Sequence, residues 1–120
     1  MDKLRILVAE DDLGLASAMD EMLRYMGYAV VGPYHTLESA LSGAELEEFD
    51  AAILDVNLGG EKVFELAAML EIEQTPFLFM SELSDSLPEN LAKLYQCVDK
   101  GTLVEDLEAQ VSRLVNTHID

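Results

Sequence analysis

The sequence predicts an α/β fold: a parallel sheet with helices packed on both faces. Three observations carry this expectation. Residues 6–9, 51–54 and 77–80 are short, continuous apolar runs rather than alternating ones, the pattern of strands buried on both sides. Longer segments between such runs carry apolar residues at helical spacing. A chain of 120 residues that is 50% hydrophobic is long enough to bury one sizeable core, so residues 1–120 are read as a single domain.

The elements follow in order. Residues 4–9 form the first strand, and Leu15, Met19, Met22, Leu23 and Met26 share one face of a helix over 14–26, stopped by Gly27. Residues 29–31 form a second strand closed by Gly32 and Pro33, and Thr36 caps a second helix with Leu37, Ala40, Leu41 and Ala44 as its stripe. The third strand, 51–54, ends on Asp55; residues 57–60 read as a loop and 63–72 as a third helix. Residues 77–80 form the fourth strand, ended by Ser81. A closing helix over 103–115 turns Leu103, Leu107, Val111, Leu114 and Val115 inward. Only 18 residues separate Ser81 from Lys100, and Pro88 interrupts them, so a short or irregular fourth helix to about residue 94 and an edge strand over 95–98 are expected there. Internal repeats and low-complexity tracts are absent from the sequence.

Charge narrows the function. The 24 acids against 7 Lys plus Arg give a formal charge of −17, which argues against nucleic acid or anionic membrane as a direct partner. A divalent cation or a basic protein surface suits it better. Cys97 is the single cysteine, so no internal disulfide and no cysteine metal cage can form within the chain. The N-terminal apolar run is too short for a signal peptide and no stretch is long enough to span a membrane, so a cytoplasmic location is expected.

One feature is chemically expensive. The run Ile6-Leu7-Val8-Ala9 delivers Glu10, Asp11 and Asp12 together, and like charges at the end of a buried strand need compensation. In an open parallel sheet function gathers at the carboxyl ends of the strands. The residues there are Glu10, Asp11, Asp12, Asp55, Ser81 and Lys100. A hard divalent ion coordinated by oxygens, with Mg²⁺ the natural choice, answers the charge. Asp11 and Asp55 are expected as direct ligands, with the backbone carbonyl of Asn57 nearby and Glu10 acting through water. Lys100 pairs with Asp55, Ser81 offers a hydroxyl, and Asp12 is read as a helix cap. His35 and His118 have no partners at ligand spacing and receive no role.

Taken together, ILVAEDD, AILDVNL, Ser81 after FLFM, and VDK resemble the receiver domain of two-component response regulators over the whole chain. That resemblance implies a doubly wound five-stranded parallel sheet of order 2-1-3-4-5, as in flavodoxin and CheY. It implies Mg²⁺-dependent transfer of a phosphoryl group from a histidine kinase to Asp55, with Glu10 and Asp11 as metal-site acids, Ser81 as the switch hydroxyl and Lys100 as the phosphate-contacting lysine. It further implies a bacterial protein that is no enzyme beyond its own phosphorylation and dephosphorylation, a downstream protein partner, and a monomer or weak homodimer. GYAVVGPYHTLESAL, LDVNLGGEKVFELA and TPFLFMSELSDSLPENL resemble the receiver subgroup named for its PFxFATGY motif, which is associated with HWE-type histidine kinases.

The chain departs from the family pattern at several places. Met80-Ser81-Glu82 stands where the subgroup has Ala-Thr-Gly, Gly101 follows the lysine in place of proline, and Cys97 occupies the position of the switch aromatic. A cis bond after Lys100 is therefore not expected. Tyr95 lies two positions earlier on the same strand face. Leu83 is placed to hinder water and predicts a long-lived acyl phosphate. Two other functions compete: a protein-binding module without a working switch, and an aspartyl phosphatase. Asn57 weakens the latter, since such enzymes commonly need an acid at that position and the chain has no room for a substrate cap.

Overall fold

The computed structural model describes residues 3–82 and 95–117. In chain order the elements are β1 (Arg5–Ala9), α1 (Leu13–Tyr25), β2 (Ala29–Tyr34), α2 (Leu37–Leu46), β3 (Ala51–Asp55), β4 (Asn57–Leu58), β5 (Glu61–Lys62), α3 (Phe64–Glu73), β6 (Phe77–Ser81), β7 (Gln96–Asp99) and α4 (Lys100–Thr117). Five strands form one parallel sheet in the order β2-β1-β3-β6-β7. With the small β4–β5 hairpin set aside, this is the expected 2-1-3-4-5 winding. The expected fourth helix, Leu83, Pro88 and His118 lie outside the described residues.

The period of two along each strand divides the core into two layers. Leu7, Ala9, Ala52, Leu54 and Phe79 face one side, where Ala40 and Ala44 of α2 and Leu66 and Leu70 of α3 cover them. Ile6, Val8, Ile53, Leu78 and Met80 face the other, against Met19 and Leu23 of α1 and Leu103, Leu107, Val111, Leu114 and Val115 of α4. All five of the inward residues expected on the closing helix are buried. Burying one such leucine is worth about 2 kcal/mol, so the stripe alone fixes how α4 lies on the sheet. Among the described residues no helix is long and apolar enough to cross a membrane.

Three boundaries differ from expectation, each for a local reason. β2 does not stop at Gly32 but runs to Tyr34. It is an edge strand, where proline's missing N–H is tolerated. The register slips between Leu7 and Ala9, and Glu10 N donates to Tyr34 O at 2.9 Å to resume the pairing. Gly32 takes φ 98° there, and a Cβ on it would stand 2.8 Å from Tyr34 N and 3.0 Å from Val8 O. Residues 57–60 are not an open loop: β4 and β5 pair antiparallel across Gly59 and Gly60, both at positive φ, as a tight two-residue turn requires. The closing helix begins at Lys100, three residues before its first buried leucine. Asp99 Oδ1 accepts Gly101 N at 2.7 Å at its start, and Gly101 and Thr102 are exposed, so no apolar periodicity announces this first turn.

Candidate functional site

Each site residue is placed by the end of a strand. β1 carries Glu10 and Asp11 out of the sheet, β3 ends on Asp55, β6 ends on Ser81, and Lys100 opens α4 directly after β7. Glu10 and Asp55 are the buried charged residues among those described. Lys100 joins them: its Nζ lies 2.7 Å from Asp55 Oδ2 and 3.0 Å from Glu10 Oε1.

Backbone donors orient the remaining oxygens. Asp55 Oδ1 accepts Asn57 N at 3.1 Å, and Glu10 Oε2 accepts Asp12 N at 2.9 Å. Asp11 Oδ2 accepts Gly59 N at 3.0 Å, which ties the first acidic loop to the β4–β5 hairpin. Asp12 is the helix cap expected of it, accepting Leu15 N at 3.0 Å. Ser81 ends its strand half-buried, paired in register with Asp99; its hydroxyl makes no hydrogen bond to Asp55 or Lys100 among the described residues.

The electrostatics follow from burial. Desolvation, with Asp55 close by, pushes the Glu10 carboxyl up to about 8 despite the Asp12 N–H and Lys100. Burial likewise raises Asp55, against the pull of Lys100. Burial also acts to raise Asp11, but the Gly59 N–H and the neighbouring groups outweigh it, and Asp11 ends below its ordinary value. For Lys100 burial would lower the value, and the two carboxylates reverse that and raise it. Lys100 is thus a fixed cation, Asp11 a fixed anion, and Glu10 the group that gives way.

The donor set fits a hard divalent ion. One carboxylate oxygen each from Glu10, Asp11 and Asp55 lie within 4.8 Å of one another. Asn57 Oδ1 is buried with no hydrogen-bond partner among the described residues, so an oxygen stands ready that the protein itself does not satisfy, and the buried Glu10 Oε1 meets the Lys100 ammonium at 3.0 Å. All are hard ligands of the kind Mg²⁺ takes. Asn57 was expected through its backbone carbonyl; the orphaned side-chain oxygen is an additional donor at the same residue.

Tyr95 keeps the strand face expected of it, displaced from Cys97. The Tyr95 ring stacks on Phe77 at 5.1 Å and meets Phe79 edge-on at 5.9 Å, just ahead of β7 rather than within it. Burial and the adjacent Glu71 raise its hydroxyl, so Tyr95 belongs to the α3 side of the sheet and not to the Ser81 end. His35, given no role, has Nδ1 2.9 Å from the Glu10 carbonyl; a carbonyl only accepts, so Nδ1 carries the proton in this contact. A lone histidine after a strand carries no sequence signal of such a contact. The Lys100–Gly101 bond is trans, as expected, since Gly32–Pro33 is the cis bond found among the described residues.

Comparison with known proteins agrees with this geometry. Residues 6–112 match the response regulator receiver domain, and the chain belongs to that family. It is similar to SdrG from Sphingomonas melonis Fr1, with 30% identity, a TM-score of 0.83, and coverage of 96% of this chain and 99% of that one. The same fold appears in a CheY-like receiver domain from Methanospirillum hungatei JF-1, at 20% identity, TM-score 0.84, and 97% and 96% coverage. A CheY-like receiver from Methylobacillus flagellatus gives 19% identity, TM-score 0.79, and 94% and 99% coverage. No curated protein matches the sequence significantly.

Proposed function

We propose that this receiver accepts a phosphoryl group on Asp55 from the phosphohistidine of a sensor kinase and signals through protein contacts made in the phosphorylated state. The observation that carries the reading is the contact of Asp55 Oδ2 with Lys100 Nζ at 2.7 Å inside an oxygen-lined, acid-rich strand edge. A carboxylate kept buried with one cation, two further acids and an unsatisfied amide oxygen around it serves little structural purpose.

Asp55 attacks the phosphorus; the P–O bond forms, the P–N bond to the kinase imidazole breaks, and the imidazole leaves with the electron pair. Glu10, Asp11, Asp55 and Asn57 would hold Mg²⁺, whose charge screens the phosphoryl oxygens. Lys100 follows the charge from the Asp55 oxygen to the new phosphoryl oxygens, a short movement of an already fixed cation. The Asn57 N–H orients Asp55 for attack. Ser81, at the end of the neighbouring strand, supplies a hydroxyl that can turn toward the added group and pull on the chain that follows.

The PFxFATGY-like motifs support a finer assignment: a bacterial, cytoplasmic receiver served by an HWE-type kinase. The experiment is phosphoryl transfer from a labelled histidine kinase of that type in the presence of Mg²⁺. Label on the wild-type protein and none on Asp55→Asn supports the reading. Absence of label from any donor leaves a receiver that works only as a binding module.

A further inference from the structure

We infer that Asp99 is a positioning residue for Lys100: by closing its side chain onto the Gly101 N–H it fixes the turn from which the lysine reaches Asp55. The inference rests on the phosphoryl-acceptor reading and adds a residue to it.

The need arises from where Lys100 stands. It is the first residue of an 18-residue helix, where the exposed N–H groups present the positive end of the helix dipole and disfavour a cation. On its far side comes Gly101, the residue with the greatest backbone freedom. A flexible four-methylene side chain held on such a hinge would carry its ammonium through several ångströms, whereas charge stabilisation in transfer depends on sub-ångström placement.

Asp99 answers each point. Its Oδ1 accepts Gly101 N at 2.7 Å, closing a turn around Lys100, and its backbone carbonyl accepts the Thr102 hydroxyl at 3.3 Å. The same carboxylate oxygen takes up one of the free N–H groups that Lys100 meets at that helix end. Asp99 itself is held from behind, paired with Ser81 at the end of the β6–β7 ladder. The two residues are matched in size, since a Cβ on Gly101 would lie 3.2 Å from Asp99 Oδ1. The aspartate makes no hydrogen bond to Asp55 among the described residues, so it works through the backbone of its neighbour.

The test compares wild type, Asp99→Ala and Asp99→Asn in three measurements. These are the initial rate of phosphorylation by phosphoramidate with Mg²⁺, the Mg²⁺ affinity from amide shifts, and ¹³C relaxation of the Lys100 ε-methylene. Asp99→Ala is expected to slow phosphorylation by about fivefold to tenfold and to mobilise the methylene, with Mg²⁺ affinity within about twofold of wild type. Asp99→Asn keeps the acceptor and is expected to restore both. A wild-type rate and an unchanged methylene in Asp99→Ala overturn the proposal, as does an Asp99→Asn as slow as Asp99→Ala, which would assign the effect to charge. Asp99→Gly, tolerated at helix N-termini but lacking a side-chain oxygen, repeats the test if the alanine variant does not fold. If the wild type takes no label, the acceptor reading has failed, and the methylene relaxation still decides whether Asp99 positions Lys100.

Discussion

Lys100 Nζ stands 2.7 Å from Asp55 Oδ2 and 3.0 Å from Glu10 Oε1, so one ammonium holds apart two carboxylates that would otherwise face each other inside the protein. With Asp11 counted, three acids share that single cation. The arrangement is stable enough to fold and still short of positive charge, which is the state a site needs if it is to attract a divalent ion and then a phosphoryl group.

Removing the cation should therefore cost stability as well as activity. Lys100→Met leaves Glu10 and Asp55 buried against each other, and breaking a buried pair in this way costs about 3 kcal/mol. Urea unfolding at pH 8 in chelator measures it. Mg²⁺ at millimolar concentration is expected to recover part of the loss in the variant. A midpoint unchanged from wild type would mean that the lysine is not the counter-charge.

The Glu10 carboxyl sets a pH dependence. Its value in the folded protein is pushed up to about 8, above that of the unfolded chain, so the folded state holds the proton longer. A raised acid stabilises the fold below its unfolded value, and that contribution is lost as pH rises through the folded value. Metal-free protein should thus become less stable between about pH 5 and pH 8. Glu10→Gln, neutral throughout, is expected to flatten the dependence and to exceed the wild type at pH 8 in chelator. A variant with the wild-type slope would refute the assignment.

Much of this site was legible because burial and charge conflict visibly in the sequence. An apolar run ending in acids, and another ending on Asp55, mark the functional edge of a parallel sheet without any reference to structure. What stayed hidden lacks such a conflict. Gly32 and Pro33 read as a stop, although an edge strand needs no donor on its outer side. Gly59 and Gly60 read as slack chain, although paired positive φ values make a hairpin of them. The first turn of α4 holds Lys100 and the exposed Gly101 and Thr102, so the apolar periodicity that marks the helix begins at Leu103, after the lysine. Tyr95 sits one residue ahead of β7, whose start no turn residue marks, yet keeps the strand face that its spacing from Cys97 implies.

Packing beneath β2 gives a prediction in stability alone. The Tyr34 ring crosses α2 at Gly43, and a Cβ there would overlap the ring. Alanine would favour the helix by about 1 kcal/mol, while forcing a ring out of a packed site costs about 1–3 kcal/mol. Gly43→Ala is expected to lower the thermal midpoint in the wild-type background and to raise it in Tyr34→Ala, where the obstacle is gone. Stabilisation in both backgrounds would show that the ring yields freely.

Asp11 allows the ion site to be separated from the scaffold. Its Oδ2 accepts Gly59 N, and an asparagine keeps an oxygen for that bond while losing the charge. Burial acts against Asp11 ionising, yet the Gly59 N–H and its neighbours keep it below the ordinary carboxylate value, so at neutral pH it contributes a full negative charge. Asp11→Asn is expected to leave the fold and the Gly59 amide shift nearly unchanged and to weaken Mg²⁺ binding by at least about tenfold, since about 1.4 kcal/mol of lost attraction suffices for that factor. Amide shifts of Glu10, Asp55 and Lys100 followed through a magnesium titration read both quantities at once. Equal affinity in the two proteins would remove Asp11 from the ligand set and leave the ion, if bound, to Glu10, Asp55 and Asn57.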